Sequence, residues 1–223
     1  MKKTLKLLIF CFATMLMLLS TSSVNVSAKV KNPFTGIKKT YHFIAGSPSE
    51  YGMDFITPSY SSKIKMTATS SKKSVATVKA YTAKEGKKYY GYIGINPKSK
   101  GTTTLTLKVT IKGKTYKKTC KVSVEKYVNP FDSLVIDGVD YTSKMDKKLE
   151  VVLSPDYFNG TISYKIKPDY KISYFYADDA NFNSYDLSNG MKLKKKTVCL
   201  ALVYKNTKTK AKGIMYIYSK KGY

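Results

Sequence analysis

From Gly101 to Val124 the chain alternates with a period of two. Leu105, Leu107, Val109 and Ile111 take turns with Thr104, Thr106, Lys108 and Thr110; Lys112-Gly113-Lys114 then turns the chain, and Tyr116, Cys120, Val122 and Val124 carry the apolar phase back. Successive side chains of a strand point to opposite faces, so this pattern fits a hairpin buried on one side and solvated on the other. Ile64, Met66 and Ala68 repeat the alternation upstream. Asp137-Gly138 between Leu134-Val135-Ile136 and Val139-Asp140-Tyr141 is a two-residue hairpin signal. Further strands are expected at Leu149–Leu153, Thr161–Lys167, Lys171–Tyr176, Val198–Tyr204 and Gly213–Tyr218. No window of the mature chain keeps a helical period. The expected class is all-β.

The first strands carry a recognisable wording. Ser-Val-Ala-Thr-Val-Lys at 74–79 is followed by Gly-Tyr-Ile-Gly-Ile-Asn-Pro-Lys-Ser-Lys-Gly-Thr-Thr-Thr-Leu-Thr-Leu at 91–107. These runs resemble the bacterial Ig-like group 2 family, the invasin/intimin-type repeats of bacterial surface proteins, most strongly over residues 63–124. The resemblance implies an antiparallel β-sandwich outside the cell and names no ligand. Beyond the first domain the Val-Ala-Thr-Val wording is absent.

The N-terminus supports export. Lys2, Lys3 and Lys6 precede an apolar run from Leu7 to Leu19, and a Ser/Thr-rich stretch ends at Val26-Ser27-Ala28, with small residues one and three before the expected cut. The run is short for a bilayer span. Cys11 follows bulky Phe10 inside that run, which argues against a lipoprotein, and the C-terminus has neither a sortase motif nor an apolar tail. We expect residues 1–28 to be a signal peptide and the protein to be secreted from Lys29 onward, extracellular or wall-associated, with no membrane span. Val30-Lys31-Asn32-Pro33-Phe34 recurs as Tyr127-Val128-Asn129-Pro130-Phe131. That offset matches the length of about 100 residues that one sandwich needs. Two tandem Ig-like sandwiches are therefore expected, residues 29–127 and 128–223.

Charge bears on partners. Every basic residue is lysine apart from His42; residues 29–127 hold 21 lysines against four acids, a net +17, and residues 128–223 hold 16 against ten, a net +6. Such a surface attracts polyanions. Nucleic acid is a poor candidate, because the chain is exported and lacks the arginine that reads phosphates and guanines bidentately. Anionic cell-wall polymers and acidic glycans are the expected partners, through Lys72, Lys73, Lys84, Lys87, Lys88, Lys98 and Lys100. The alternative is drift in coding composition, with lysine also guarding strand edges. Tyr89, Tyr90 and Tyr92 cluster beside Lys87 and Lys88, and Tyr170, Tyr174 and Tyr176 recur at even spacing. They offer a second reading, stacking on a host glycan or protein, beside the plainer one of strand-forming residues.

Little points to chemistry. Asp179-x-Asn181-x-Asn183 copies the first ligand positions of a calcium loop, but Ser184 and Gly190 stand where glycine and glutamate belong; a turn rich in Asn and Asp reads as well. His42 is the only histidine, too little for a zinc site or a triad. No cofactor, metal or catalytic residue is expected, and the protein reads as a binding or structural module. Cys120 and Cys199 fall in different proposed domains, which, with that boundary, excludes an Ig-type core disulfide. Cys120 is expected as a small buried hydrophobe, the alternative being an inter-domain bridge to Cys199, which needs the two Cα atoms within about 7 Å.

Overall fold

The hairpin turns position everything else. In the computed structural model, which describes residues 33–47, 54–55, 60 and 63–222, Lys112 and Gly113 both have positive φ, as do Asp137 and Gly138. Each pair closes a two-residue loop between directly paired residues, Ile111 with Lys114 and Ile136 with Val139. Positive φ at both central residues is the type I′ pattern, whose twist matches that of the flanking strands. The signal peptide and the expected start at Lys29 lie outside the described residues.

The chain is nearly all β. In order, the strands are β1 (Thr40–Ile44), β2 (Asp54–Phe55), β3 (Ile64–Ser70), β4 (Ala76–Glu85), β5 (Lys88–Pro97), β6 (Gly101–Ile111), β7 (Lys114–Glu125), β8 (Phe131–Ile136), β9 (Val139–Asp140), β10 (Glu150–Val152), β11 (Ile162–Ile166), β12 (Tyr170–Asp179), β13 (Ser184–Asp186), β14 (Thr197–Asn206) and β15 (Lys212–Tyr218), with short 3-10 turns at Thr142–Met145 and Lys220–Gly222. Each strand expected from alternation in the sequence is present. Two three-stranded sheets, β2-β5-β4 and β11-β8-β9, accompany a nine-stranded sheet ordered β13-β12-β14-β15-β1-β7-β6-β3, with β10 also on β15.

The same four-strand unit occurs twice. A last strand pairs antiparallel with its predecessor and parallel with a short earlier strand: β7 with β6 and β1, then β15 with β14 and β10. The predecessor in turn pairs with an earlier antiparallel strand, β3 or β12. Among the described residues every pairing joins strands on one side of Tyr127, except a single parallel bridge between Phe43 and Lys212. Ile44, 1 % exposed, reaches from β1 into the core formed by Phe131, Leu134, Phe158, Leu200, Leu202 and their neighbours. Asn32–Tyr223 forms one compact unit.

Pro33-Phe34 and Pro130-Phe131, from the two repeated segments, are buried alike, with Phe34 and Phe131 in the core. Lysines latch both. Lys118 Nζ donates to the carbonyls of Phe34 and Ile37 (3.1 and 2.9 Å), and Lys167 Nζ donates to that of Asn129 (2.9 Å). These two ammonium groups serve the fold.

Core and solvent faces follow the alternation in β6 and β7: Leu105, Leu107, Val109, Cys120, Val122 and Val124 are buried while the residues between them are not. Opposite them, Ile93 and Ile95 of β5 are fully buried, and β3 packs on β4 and β5. Cys199 is a buried free thiol, so it is not bridged to Cys120; burial pushes its pKa up, which suppresses the thiolate.

Candidate functional site

The seven lysines singled out in the sequence sit at the two ends of one hairpin. β4 and β5 pair from Ala76–Pro97 to Glu85–Lys88, and at about 3.4 Å per residue the ends lie roughly 30 Å apart. Lys72, Lys73, Lys98 and Lys100 surround the Ala76–Pro97 end. There the fully buried hydroxyl residue Thr103 accepts the Lys72 N–H (2.9 Å) and bonds Ser70 and Ser71, while Lys98 N–H donates to Val75 (2.8 Å). Lys84, Lys87 and Lys88 surround the tip, where Gly86 has positive φ. Lys84 Nζ lies 5.6 Å from the Tyr89 ring centre, within cation–π range. The structure thus makes two lysine groups, not one.

Register also divides the tyrosines. Directly paired residues share a face, so Tyr92 and Tyr81 stand together, with Tyr90 opposite Ala83 on the same side and Tyr89 opposite Lys84 on the other. The Tyr81 and Tyr92 rings stack at 5.0 Å and 14°. Tyr81 escaped notice in the sequence. It stands as far before the Gly86-Lys87 turn as Tyr92 stands after it, and that symmetry was the available signal. Partial burial raises the Tyr92 pKa, with a smaller push from Tyr81.

The even spacing of Tyr170, Tyr174 and Tyr176 misleads. A bulge in β12 between Ile172 and Tyr174 reverses the phase. Tyr170 packs edge-on against buried Tyr204 (5.7 Å), whereas Tyr174 is 69 % exposed. Tyr176 shares that outer face: it flanks Ala201, with Tyr216 on the other side.

A cleft of about 390 Å³ joins residues from either side of Tyr127: Gly46, Lys98, Tyr127, Lys147, Lys148 and Glu150 line it. Tyr127 donates its hydroxyl to the Met145 carbonyl, and burial, chiefly, raises its pKa. The cleft brings Lys98 together with two lysines that the sequence reading passed over.

In the Asp178–Asp186 loop, Asp179 Oδ1 accepts the N–H groups of Asn181 and Asn183 (2.8 and 3.0 Å). Those bonds hold its carboxyl below the usual range, that from the Asn183 N–H first. Asp178 accepts the Ser184 hydroxyl (2.5 Å), and burial pushes its carboxyl up. Both carboxylates are engaged in the turn's own bonds. Among the described residues no group of three or more His, Cys, Asp or Glu is placed to hold a metal ion, and no helix is long and apolar enough to cross a membrane.

Ion pairing is uneven. Among the described residues, both salt bridges, Lys165–Asp132 and Lys208–Asp169 (each 2.8 Å), lie after Tyr127.

No protein-family model matches the chain, and no curated protein matches it. Among solved structures it is similar to domains 5–6 of the S-layer protein SbsC, at 16 % identity and a TM-score of 0.30, covering 82 % of this chain and 95 % of that one. It is also similar to a SusE-like surface-located polysaccharide-binding protein from the Bacteroides thetaiotaomicron heparin utilisation locus (10 %, 0.27, 87 % and 92 %). A third similarity is to fibronectin(III)-like modules of Clostridium thermocellum CbhA (14 %, 0.26, 82 % and 90 %). The all-β class of this chain rests on its own strands.

Proposed function

We propose that the protein is a secreted, non-catalytic binding module of two tandem Ig-like domains, retained on anionic cell-wall polymers by the lysines of its first domain. The carrying observation is the excess charge of residues 29–127, 21 lysines against four acids, with both described ion pairs elsewhere. The repeated four-strand unit and the repeated Asn-Pro-Phe support a division near Lys126–Asn129. The wording at 74–107 supports membership of the group 2 Ig-like family. Lysines near an anionic surface contribute on the order of 1 kcal/mol each, screened over about 8 Å at physiological salt. Two groups at opposite ends of a hairpin suit a long polymer better than a small ligand.

Sedimentation with isolated walls tests this. The full-length secreted protein should pellet with walls, leave them in high salt, and bind walls stripped of teichoic acid far less. Replacing Lys72, Lys73, Lys84, Lys87, Lys88, Lys98 and Lys100 by Gln should weaken the association. Binding that ignores salt would refute the electrostatic reading. It would favour the second reading, recognition of a host glycan or protein through tyrosine faces, for which the Tyr81–Tyr92 stack is the specific observation.

A further inference from the structure

The solvent face of β3, β6, β7 and β1 is built in register from threonine and lysine. Reading across the paired strands, one row is Lys65–Thr110–Thr115, the next Thr67–Lys108–Lys117, the next Thr69–Thr106–Thr119. Then come Thr104–Lys121–Thr40 and Thr102–Ser123–His42. Rows two residues apart are separated by about 6.8 Å and neighbouring strands by about 4.8 Å. Lys65, Lys108, Lys117 and Lys121 are all exposed. Glu125, at the far end of β7, is the only acid on these four strands.

Lys108 and Lys117 stand directly opposite each other. Their Cβ atoms are about 5 Å apart in such a pair, and like charges so placed are destabilising. Their diagonal neighbours, Thr106, Thr110, Thr115 and Thr119, supply hydroxyls and no carboxylate. Thr110 and Thr115 hydrogen-bond through their side chains (2.8 Å). An anion bridging the two ammonium groups converts the repulsion into attraction, and the flanking hydroxyls donate to its remaining oxygens. Apart from the His42 imidazole on β1 the face has no aromatic ring, so no Phe or Tyr platform on it stacks on a sugar ring or a base.

We infer that this Thr/Lys face is the docking surface for a linear polyol-phosphate polymer, with one phosphate seated between Lys108 and Lys117 and others over Lys65 and Lys121. Adjacent rows are spaced on the scale of phosphates separated by a three-carbon polyol. Lys65 stands one row before the Lys108–Lys117 pair and Lys121 two rows after it, across the single all-threonine row Thr69–Thr106–Thr119, which faces the polyol hydroxyls. The inference rests on the proposed retention by anionic wall polymer and assigns it a surface other than the hairpin-end lysines.

The test uses the full-length secreted protein and purified poly(glycerol phosphate). The variant Lys65/Lys108/Lys117/Lys121→Gln should bind at least tenfold more weakly than a variant of equal charge change, Lys72/Lys73/Lys87/Lys88→Gln. Lys108→Glu should weaken binding at least tenfold while raising Tm, because it turns the repulsive pair into an ion pair; a merely structural role would move both the same way. Lys108→Gln replaces it if the Glu variant does not fold. Equal losses in the two four-lysine variants would overturn the face and leave charge-driven retention standing. Failure of the wild type to bind any wall polyanion would overturn both. Tighter binding to a sulfated glycosaminoglycan, or to phosphatidylglycerol vesicles, than to poly(glycerol phosphate) would overturn the assigned occupant.

Discussion

Replacing Asn129 by Ala should lower stability by about 3 kcal/mol. The residue is 4 % exposed, and its side chain is fully used. Nδ2 donates to the Thr142 carbonyl and to Asp146 Oδ1 (2.9 Å each), and Oδ1 accepts the N–H of Phe131 (3.0 Å). Truncation orphans the buried Phe131 N–H, which costs about 1–3 kcal/mol, and removes two further bonds worth about 1 kcal/mol each before the partners re-solvate. For a cooperative unit the size of Asn32–Tyr223, that corresponds to a fall in Tm of roughly 6–12 °C; a domain of half the size melting by itself would fall about twice as far. Calorimetry reads both the shift and the number of transitions, so the same scan tests the division near Tyr127. Asn129→Asp should be worse than Ala at neutral pH, because it sets a carboxylate against Asp146 and the Thr142 carbonyl. It should recover partly in acid. A loss in Asn129→Ala below about 0.5 kcal/mol, the ordinary range for surface changes, would refute the reasoning.

Gly213→Ala should cost about 1–3 kcal/mol by overpacking, since a Cβ there would lie 2.7 Å from the ring of fully buried Tyr204; an unchanged urea midpoint would contradict it. Asp178 has its pKa raised, burial first. The folded state therefore holds that proton more tightly, and stability falls as pH climbs from the unfolded carboxylate pKa through the folded one. Asp178→Asn should be the more stable protein at pH 7 and lose that advantage in acid, which paired melts at the two pH values check. Limited proteolysis should cut near Lys126–Asn129 and release two fragments of about 100 residues; cleavage elsewhere first would count against the boundary. N-terminal sequencing of the exported protein should begin at Lys29.

Much of the fold was legible because apolar alternation and turn chemistry are local. Leu105 to Ile111 and Tyr116 to Val124 specify both their strands and their inward faces, and Lys112-Gly113 and Asp137-Gly138 specify the turns between strands. Pairing between distant strands left no such mark. Nothing in Thr40–Ile44 announces that β1 runs parallel to β7 and also bridges β15, because parallel partners are chosen by the whole sheet. The β12 bulge was equally silent. One extra residue at Ser173 inverts the faces on either side of it, and no glycine or proline marks the spot.

Composition located the charge but not its arrangement. The sequence favoured lysines in loops, where they crowd together along the chain: Lys72-Lys73 and Lys87-Lys88. Chain neighbours on a strand point to opposite faces, however, and a hairpin ten residues long separates its two ends by roughly 30 Å. The lysines that share one plane are far apart in sequence. Lys65, Lys108, Lys117 and Lys121 meet only through the β3–β6–β7 register. The same holds for Tyr81 and Tyr92, which stack because they are equidistant from one turn. In an all-β protein a surface is therefore better sought by folding the sequence about its two-residue turns than by looking for clusters. Applied here, that rule finds Lys108 opposite Lys117 about the Lys112-Gly113 turn, with threonines on every diagonal. Among the described residues neither lysine of this like-charged pair takes part in an ion pair, which leaves both ammonium groups available to the anion proposed above.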